Sequence, residues 1–317
     1  MVNKKILVVG GAGYIGGFLT DYLSSISNVL VYDNLLYENM YLKNIPFQFG
    51  DIQDTVNLSK TIKEFQPDIV IWLAALVGDG ACQLNPNLTN KVNYESVKWL
   101  CDNYSGKIVF TSTCSVYGIN NELIDESAVP EPLSIYASTK LKAEQYLLNN
   151  SDNCLIFRLG TLYGLGDTYS RIRLDLVANI LTLKAINGES LSVFGGEQWR
   201  PILHVRDVST AIKHGIENNI TGLFNLCNQN YTIKELAENI IHIVAPDKGI
   251  INYIDMPFED LRNYKVSASK FKTQGWNPQY SLEQGLSDLA KIIKQKRIKD
   301  TENILFSNEK FLKGGSS

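Results

Sequence analysis

The feature that most constrains the fold lies at the start of the chain, where an apolar run leads into closely spaced glycines. Residues 5–9 read Lys-Ile-Leu-Val-Val, residues 10–16 read Gly-Gly-Ala-Gly-Tyr-Ile-Gly, and a helix-like pattern continues to Ser25. Glycines permit a tight turn, close approach of a phosphate to the backbone, and close packing of the helix on the strand. The helix N-terminus then offers free N–H groups and a partial positive charge. A plain glycine-rich loop would not need this order of strand, turn and helix, so the pattern predicts a dinucleotide site. The residues expected to line it are Gly10, Gly13, Tyr14, Ile15 and Gly16.

Short β-branched or aromatic runs alternate with longer helix-like segments over the first half of the chain. This alternation predicts an α/β fold with a doubly wound parallel sheet of the Rossmann type. The predicted strands are residues 6–9, 29–32, 47–49, 69–73, 108–111 and 155–159. The predicted helices between them are residues 15–25, 58–65, 94–103 and 136–149.

The regular rhythm is lost after Gly164, which predicts a second, smaller C-terminal substrate lobe. The elements predicted after Gly164 are a helix over 173–187, strands at 191–194 and 202–204, and helices near 206–217 and 232–244. Some of them belong to the lobe and others to the sheet domain. Because such lobes are often assembled from separated segments, we assign 1–164 and about 201–245 to the sheet domain. The substrate lobe then takes about 165–200 and 246–300. Residues 301–317 are set aside as a tail, since the last five residues are typical of a flexible end.

Composition excludes several classes of protein. The 317 residues are 44% hydrophobic and 20% charged, which is ordinary for a globular chain. A net charge of −3 gives no basic face for nucleic acid, and no segment is long enough for a membrane span or patterned as a signal peptide. The five cysteines are odd in number and form no C-x-x-C pair, so we expect reduced thiols in a cytoplasmic protein. The three histidines lie in different segments without ligand spacing, so no metal site is expected.

An acidic residue at the end of the second predicted strand indicates which dinucleotide binds. Asp33, followed by Asn34, lies about 20 residues beyond the glycines, where a carboxylate can accept both ribose hydroxyls and would repel a 2′-phosphate. A surface aspartate at a strand end is the ordinary alternative, but no arginine follows at once to accept a phosphate. The sequence therefore predicts NAD. Further candidate contacts are Asp51 and Ile52 after the third strand and Leu73, Ala74 and Ala75 after the fourth.

The candidate catalytic group is Tyr136 and Lys140 on one predicted helix, with Thr113 at the end of a predicted strand. Residues four apart lie on one helix face, so the lysine ammonium can lie close to the phenol. An ammonium and a positive nicotinamide would lower the tyrosine pKa from about 10 toward neutrality, which would make Tyr136 a general base or acid for a hydroxyl. Thr113 could hold that hydroxyl, and Lys140 could also bind the nicotinamide ribose. Taken alone, the pair fits an ordinary amphipathic helix; its order behind a cofactor pattern favours catalysis.

Together these residues resemble the extended short-chain dehydrogenases/reductases, specifically the nucleotide-sugar epimerase/dehydratase group. The resemblance covers nearly the whole chain and rests on residues 10–16, Asp33, Asp51, 73–75, Asn93, 112–118, 136–140, Arg158 and 200–207. It implies a Rossmann domain with a small substrate lobe, tightly held NAD, a homodimer and a nucleotide-diphosphate sugar as substrate. It implies that Asn93 belongs to the cofactor site, that Arg200 and Arg262 bind the substrate diphosphate, and that Asn179 contacts a phosphate or sugar. Surface ion pairing is the ordinary alternative for both arginines.

Departures from the family pattern bear on the reaction. The 4,6-dehydratases of the family carry an acidic pair after the catalytic threonine, whereas this chain has Cys114 and Ser115. The 3,5-epimerising members place a cysteine at the position of Ser115, one residue later than Cys114. A serine hydroxyl is a poor base at neutral pH, so the groups present suit reversible oxidation of a carbinol. Thr161 stands where the sugar 4-epimerases usually have asparagine.

A segment after the fourth predicted strand resembles one subgroup of the family. Residues 73–79, which include Val77 as a candidate substrate contact, are followed by Cys82 and Pro86. The subgroup includes sugar-nucleotide enzymes of bacterial capsule and lipopolysaccharide pathways, some of which act on GDP-heptoses.

The sequence thus predicts an NAD-dependent nucleotide-sugar 4-epimerase that acts by transient oxidation at C4 and hydride return. The alternative is a nucleotide-sugar 4-dehydrogenase or 4-ketoreductase, with GDP-heptose as one candidate substrate. A non-enzymatic NAD-binding regulator on the same fold is less favoured, because a binding module would have no reason to combine Thr113, Tyr136 and Lys140.

Overall fold

A computed structural model describes residues 3–314 apart from 39, 168, 170 and 256–261. Its strands are β1 Lys5–Val9, β2 Asn28–Asp33, β3 Phe47–Phe49, β4 Ile69–Trp72, β5 Lys107–Thr113, β6 Ile119–Ile124, β7 Cys154–Leu159, β8 Thr161–Tyr163, β9 Leu191–Phe194, β10 Trp199–His204, β11 Gly222–Leu226, β12 Gln229–Thr232, β13 Ile251–Ile254 and β14 Asn263–Val266. Its α-helices are α1 Gly16–Ser24, α2 Thr55–Phe65, α3 Asp79–Leu84, α4 Pro86–Asn90, α5 Ser96–Asn103, α6 Ile135–Asn150, α7 Val177–Asn187, α8 Val205–Glu217, α9 Ile233–Val244, α10 Ser269–Lys272, α11 Leu282–Lys294 and α12 Asn308–Gly314. A π-helical turn spans Lys91–Glu95, and 3-10 turns span Cys114–Tyr117 and Ile304–Phe306.

The main sheet is fully parallel, with strand order β3-β2-β1-β4-β5-β7-β11. The chain direction across the sheet reverses between β1 and β4, and ligands of open α/β sheets bind in the crevice at such a switch point. The six strands predicted in the first half of the chain all form, within two residues of their predicted bounds. The doubly wound Rossmann fold is confirmed.

Two hydrophobic layers cover the sheet because its central strands are apolar on both faces. In β1, Ile6 and Val8 face one layer, which contains Leu19 of α1 and Ile212 of α8. Leu7 and Val9 face the other layer, which contains apolar residues of α2, α5 and α6. The glycine turn therefore follows a central strand that is packed on both faces.

Within the described residues, short sheets and the helices α7, α9 and α11 form a smaller lobe beside the main sheet. The sheets have the orders β12-β10-β8, β13-β9 and β14-β6, and α7, α9 and α11 share one apolar cluster. Residues 201–245, assigned as a whole to the sheet domain, divide in the structure: α8 and β11 pack with the main sheet, whereas α9 and β12 join the lobe. β6 and β8, which lie within residues 1–164, likewise pair with strands of the short sheets. The domain boundaries otherwise remain a prediction.

Two further sequence predictions need correction. The helix predicted over 173–187 begins at Val177, because Leu176 has an extended backbone. Residues 301–317, set aside as a tail, include the turn Ile304–Phe306 and helix α12, and Asn308 is only 3% exposed. Among the described residues, no helix is both long and apolar enough to cross a membrane.

Candidate active site

A cavity of about 420 Å³ lies at the carboxyl ends of the main-sheet strands, beside the switch point between β1 and β4. It brings together most of the residues singled out from the sequence. Those that line it are Gly10, Gly13, Tyr14, Ile15, Gly16, Asp33, Asn34, Asp51, Ile52, Leu73, Ala74, Ala75, Val77, Thr113, Ser115, Tyr136, Lys140, Thr161 and Arg262. Asn93, Asn179 and Arg200 are not among the residues that line it.

The glycine turn fits closely between β4 and helix α1. Gly10 has φ +82°, and a Cβ there would lie 2.4 Å from the backbone nitrogen of Ala74. A Cβ on Gly16 would lie 2.4 Å from the carbonyl oxygen of Gly11. At Gly13, by contrast, such a Cβ would make only an ordinary contact, 3.5 Å from the carbonyl oxygen of Gly10, and this glycine lines the cavity. The N-terminus of α1 therefore faces the cavity, with amides that have no partner within the helix.

Asp33 is held against this turn by backbone amides. Its Oδ2 accepts a hydrogen bond from the Ala12 amide at 3.0 Å and its Oδ1 accepts one from the Leu35 amide at 2.8 Å. Burial raises the pKa of the Asp33 carboxyl, while these amides oppose the rise. Next to it, Asn34 Nδ2 donates to Asp51 Oδ2 at 3.0 Å, so the ends of β2 and β3 form one acceptor-rich corner. The Asp33 carboxylate suits the ribose of NAD, and the glycine turn with the N-terminus of α1 suits its diphosphate.

Thr113, Tyr136 and Lys140 meet at the other end of the cavity. Lys140 is 3% exposed, and its Nζ lies 4.1 Å from the centre of the Phe110 ring. Burial lowers the pKa of Lys140 to about 7. Burial also raises the pKa of Tyr136 above its ordinary value, and a hydrogen bond with Thr113 opposes the rise. The predicted lowering of the tyrosine pKa is therefore not a property of the polypeptide alone, because burial of the phenol outweighs the neighbouring groups.

Lys140 gives a testable pH dependence. The unfolded chain keeps the lysine proton up to a pKa of about 10.4, whereas folded Lys140 releases it near 7. Between these values the unfolded state binds more protons, so this group makes the free energy of unfolding rise with pH, by at most about 1.4 kcal/mol per pH unit. In urea unfolding between pH 7 and 9, wild type should gain stability relative to Lys140→Met. Parallel pH profiles for the two proteins would contradict the lowered pKa.

Ser115 and Cys114 differ in where their side chains lie. Ser115 lines the cavity, and its hydroxyl is 3.1 Å from the hydroxyl of Tyr264. Cys114 is 1% exposed, its thiol donates to the carbonyl oxygen of Arg158 at 3.3 Å, and burial raises its pKa well above the ordinary value. The thiol is thus buried against β7 and does not line the cavity. No carboxylate takes the place of these two residues after Thr113.

The three predicted residues that do not line the cavity support its walls. Asn93, in the π-helical turn, accepts from the Leu76 amide at 2.8 Å and donates to the Leu76 carbonyl at 2.9 Å, which fixes the chain after β4. Asn179 accepts from the Gly164 amide at 2.9 Å. Arg200 donates to the Arg262 carbonyl at 2.6 Å and so holds the segment that carries Arg262.

Several lining residues were not predicted from the sequence. They are Leu35, Leu36, Tyr37, Glu38, Arg171, Arg173, Leu176, Tyr264 and Asn308, among others. Arg173 fell within a predicted helix, Arg171 lay just before it, and Asn308 fell within the predicted tail. None of them belongs to a local motif, so the sequence carried no signal for them.

The chain is similar to known proteins over most of its length. Residues 6–227 match the sequence profile of the NAD dependent epimerase/dehydratase family. The UDP-glucose 4-epimerase of Rhizobium meliloti is 29% identical, over 89% of this chain and 94% of that protein. The dTDP-D-glucose 4,6-dehydratase of Dictyostelium discoideum is 27% identical, over 89% of this chain and 80% of that protein.

A solved structure shows the same architecture over nearly the full length. The UDP-glucuronic acid 4-epimerase of Bacillus cereus, in complex with UDP-glucuronic acid and NAD, is 27% identical, with a TM-score of 0.77 over 92% of this chain and 99% of that one. The fold and site define a Rossmann protein of the extended short-chain dehydrogenase/reductase type. The chain belongs to the NAD dependent epimerase/dehydratase family, and its cofactor is NAD. Because epimerases and dehydratases are similar to it to nearly the same degree, the reaction must be argued from the site.

Proposed function

We propose that this protein is an NAD-dependent nucleotide-sugar 4-epimerase. NAD supplies a hydride acceptor and donor beside the sugar. Tyr136 takes the proton of the C4 hydroxyl and later returns it, Thr113 holds that hydroxyl by a hydrogen bond, and Lys140, one turn along the same helix, is placed to bind the nicotinamide ribose. For this reaction, the cavity would have to let the sugar ring present either face to bound NAD, which would supply hydride exchange at C4.

The observation that carries this proposal is the chemistry next to Thr113. Ser115 presents a neutral hydroxyl to the cavity, and the Cys114 thiol is buried with a raised pKa. Dehydration and epimerisation by deprotonation of C3 or C5 both need a base beside the carbon next to the oxidised one, and neither residue is a base near neutral pH. The remaining groups suit removal and return of a hydroxyl proton.

The other cavity residues then take binding roles. For NAD these are Gly10, Gly13, Tyr14, Ile15, Gly16, Asp33, Asn34, Asp51, Ile52, Leu73, Ala74, Ala75, Tyr136 and Lys140, with Asn93 acting through the Leu76 backbone. For the nucleotide sugar they are Val77, Ser115, Thr161 and Arg262, with Asn179 and Arg200 in supporting positions. An arginine fork matches a diphosphate by paired hydrogen bonds.

NMR of the sugar ring tests the reaction. Purified protein is incubated without added nicotinamide cofactor in D₂O with a panel of UDP-, GDP-, dTDP- and CDP-sugars. We expect a C4 epimer that carries no deuterium on its ring carbons, because the hydride returns from the cofactor to the carbon it left. Deuterium at C3 or C5 would contradict the proposal and indicate carbon deprotonation.

The second candidate is a nucleotide-sugar 4-dehydrogenase or 4-ketoreductase that uses the same residues. Thr161 favours it, because this residue lines the cavity where the sugar 4-epimerases usually have asparagine. The resemblance of residues 73–79 adds GDP-heptose as a candidate substrate. Lack of any epimer, followed by turnover only when NAD or NADH is supplied, would favour this candidate.

We also propose a cytoplasmic homodimer that acts in polysaccharide biosynthesis. All five cysteines lie in the described part of the chain, and none forms a disulfide there, as a reducing compartment requires. Sedimentation of the purified protein should give about twice the chain mass. A monomer at micromolar concentration would contradict the dimer.

A further inference from the structure

Two neighbouring arginines in the wall of the cavity have different partners. Arg171 and Arg173 are 7% and 8% exposed. Arg173 forms a two-point ion pair with Asp175, at 2.6 Å from Nε to Oδ1 and 2.9 Å from Nη2 to Oδ2. Arg171 has only neutral acceptors: its Nε donates to the Leu305 carbonyl at 2.7 Å and its Nη1 donates to Asn308 Oδ1 at 2.6 Å. Its Nη2 is buried without a hydrogen-bond partner.

A buried guanidinium with neutral partners is an unfavourable arrangement unless an anion joins it. No carboxylate in the described parts of the chain forms an ion pair with Arg171; Asp175, which is paired with Arg173, and Glu38 act on it only as electrostatic neighbours. Burial, helped by the charge of Arg173, lowers the pKa of Arg171 to about 10. An anion in the cavity would reverse this effect and give Nη2 the acceptor that it lacks.

The position of Arg171 indicates which anion. Its guanidinium lies 3.9 Å from the centre of the Tyr37 ring. Tyr37 belongs to the segment that follows Asp33 at the end of β2. Arg171 therefore lies on the side of the cavity that contains the N-terminus of α1 and the Asp33 carboxylate, which is expected to bind the ribose. Arg262, immediately before β14, is instead proposed to bind the nucleotide sugar, and its Nη1 donates to Asp79 Oδ2 at 2.6 Å.

We infer that Arg171 is a ligand of the NAD diphosphate, and that the C-terminal segment 303–314 positions it. The diphosphate is the charged part of the dinucleotide, and a guanidinium fork can donate two hydrogen bonds to it. The N-terminus of α1 and Arg171 would then hold the diphosphate from two sides. This inference depends on NAD as the cofactor of the family and is independent of the proposed reaction.

The C-terminal segment is built to hold Arg171 in place. Asn308 Nδ2 donates to the Val77 carbonyl at 2.7 Å, and its backbone amide donates to Asp175 Oδ2 at 2.9 Å. Phe311 contacts Tyr37 edge-on, with ring centres 5.0 Å apart. The segment thus joins the chain after β4, the arginine pair and the loop after β2, and it closes the cavity at this corner.

Calorimetric titration tests the inference on the wild type, Arg171→Met and Arg171→Lys after removal of bound nucleotide. Arg171→Met should bind NAD and ADP-ribose about 10- to 100-fold more weakly, with adenosine unaffected, because only the first two carry the diphosphate. Arg171→Lys keeps the charge and loses the fork, so its loss should be smaller. Lys313→Met is the matched control: it removes one positive charge from α12 at a side chain that is 58% exposed, and it should leave NAD binding unchanged.

Asn308→Ala separates positioning from general stability. It should weaken NAD binding severalfold in the wild type and have no further effect in the Arg171→Met background, since both changes act on one contact. Equal effects in the two backgrounds would overturn the positioning role. Unchanged NAD affinity in both Arg171 variants would overturn the inference, and if UDP or GDP binding were weakened instead, Arg171 would belong to the substrate diphosphate.

Discussion

Replacing Tyr136 by phenylalanine should lower kcat about 10²- to 10⁴-fold and leave NAD bound. The phenol lies with Thr113 and Lys140 in the cavity, and it is the group placed to exchange a proton with the C4 hydroxyl. Phenylalanine fills the same space and keeps the helix, so the change removes only the phenol hydroxyl, with its proton transfer and its hydrogen bond to Thr113. Turnover is measured by NMR on the substrate that the panel identifies, and bound NAD is measured by its absorbance after denaturation.

Tyr146→Phe is the matched control for this variant. Tyr146 lies on the same helix, and its hydroxyl donates to Asp102 Oδ1 at 2.6 Å on the exposed side of α6. Its loss should leave both turnover and NAD content close to wild type. If Tyr136→Phe kept more than about a tenth of the wild-type kcat, another group would have to move the proton.

The cofactor half of the site could be predicted from the sequence because its geometry is local. Strand β1, the glycine turn and α1 are contiguous in the chain, and Asp33 reaches the turn through an amide hydrogen bond to Ala12 only 21 residues away. Glycine at position 10 is dictated by a positive φ and by the backbone of Ala74. Such local requirements fix the residue types within a short stretch, so they can be recognised in the sequence.

The C-terminal corner of the cavity could not be predicted, because its contacts join distant parts of the chain. Asn308 bonds to Val77 across 231 residues, and Arg171 bonds to Asn308 across 137. An arginine before a helix is usually solvated, and a short polar helix near the end of a chain looks like a tail. Only tertiary packing turns these ordinary residues into part of a cavity wall.

The direction of the Tyr136 pKa shift also depends on tertiary packing that the sequence does not show. The spacing of Tyr136 and Lys140 could be read from the sequence, but their burial could not. Burial disfavours the charged form of both groups, which raises the pKa of the phenol and lowers that of the lysine to about 7. The positive charge that favours a phenolate must then come largely from the nicotinamide.

Replacing Arg158 by methionine should lower the free energy of unfolding by about 3–5 kcal/mol, because it leaves a buried carboxylate unpaired. Arg158 on β7 donates from Nε to Glu144 Oε2 at 3.1 Å and from Nη1 to the Tyr117 hydroxyl at 2.7 Å. The two charged residues are 3% and 1% exposed. Glu144 lies one turn beyond Lys140 on α6, so this ion pair anchors the helix that carries the catalytic pair. Urea unfolding at pH 7 measures the loss.

The double variant Glu144→Leu with Arg158→Met decides whether the unpaired charge causes that loss. Removing both charges avoids a lone buried carboxylate, so the double variant should recover much of the stability that Arg158→Met loses. The Tyr117 hydroxyl donates to Asn225 Oδ1 at 2.8 Å, so we expect it to keep a partner in either variant. Lys213→Met, which breaks a partly exposed pair with Glu217, should leave the free energy of unfolding nearly unchanged. If the double variant were as unstable as Arg158→Met alone, lost packing of the arginine side chain, rather than the unpaired charge, would account for the effect.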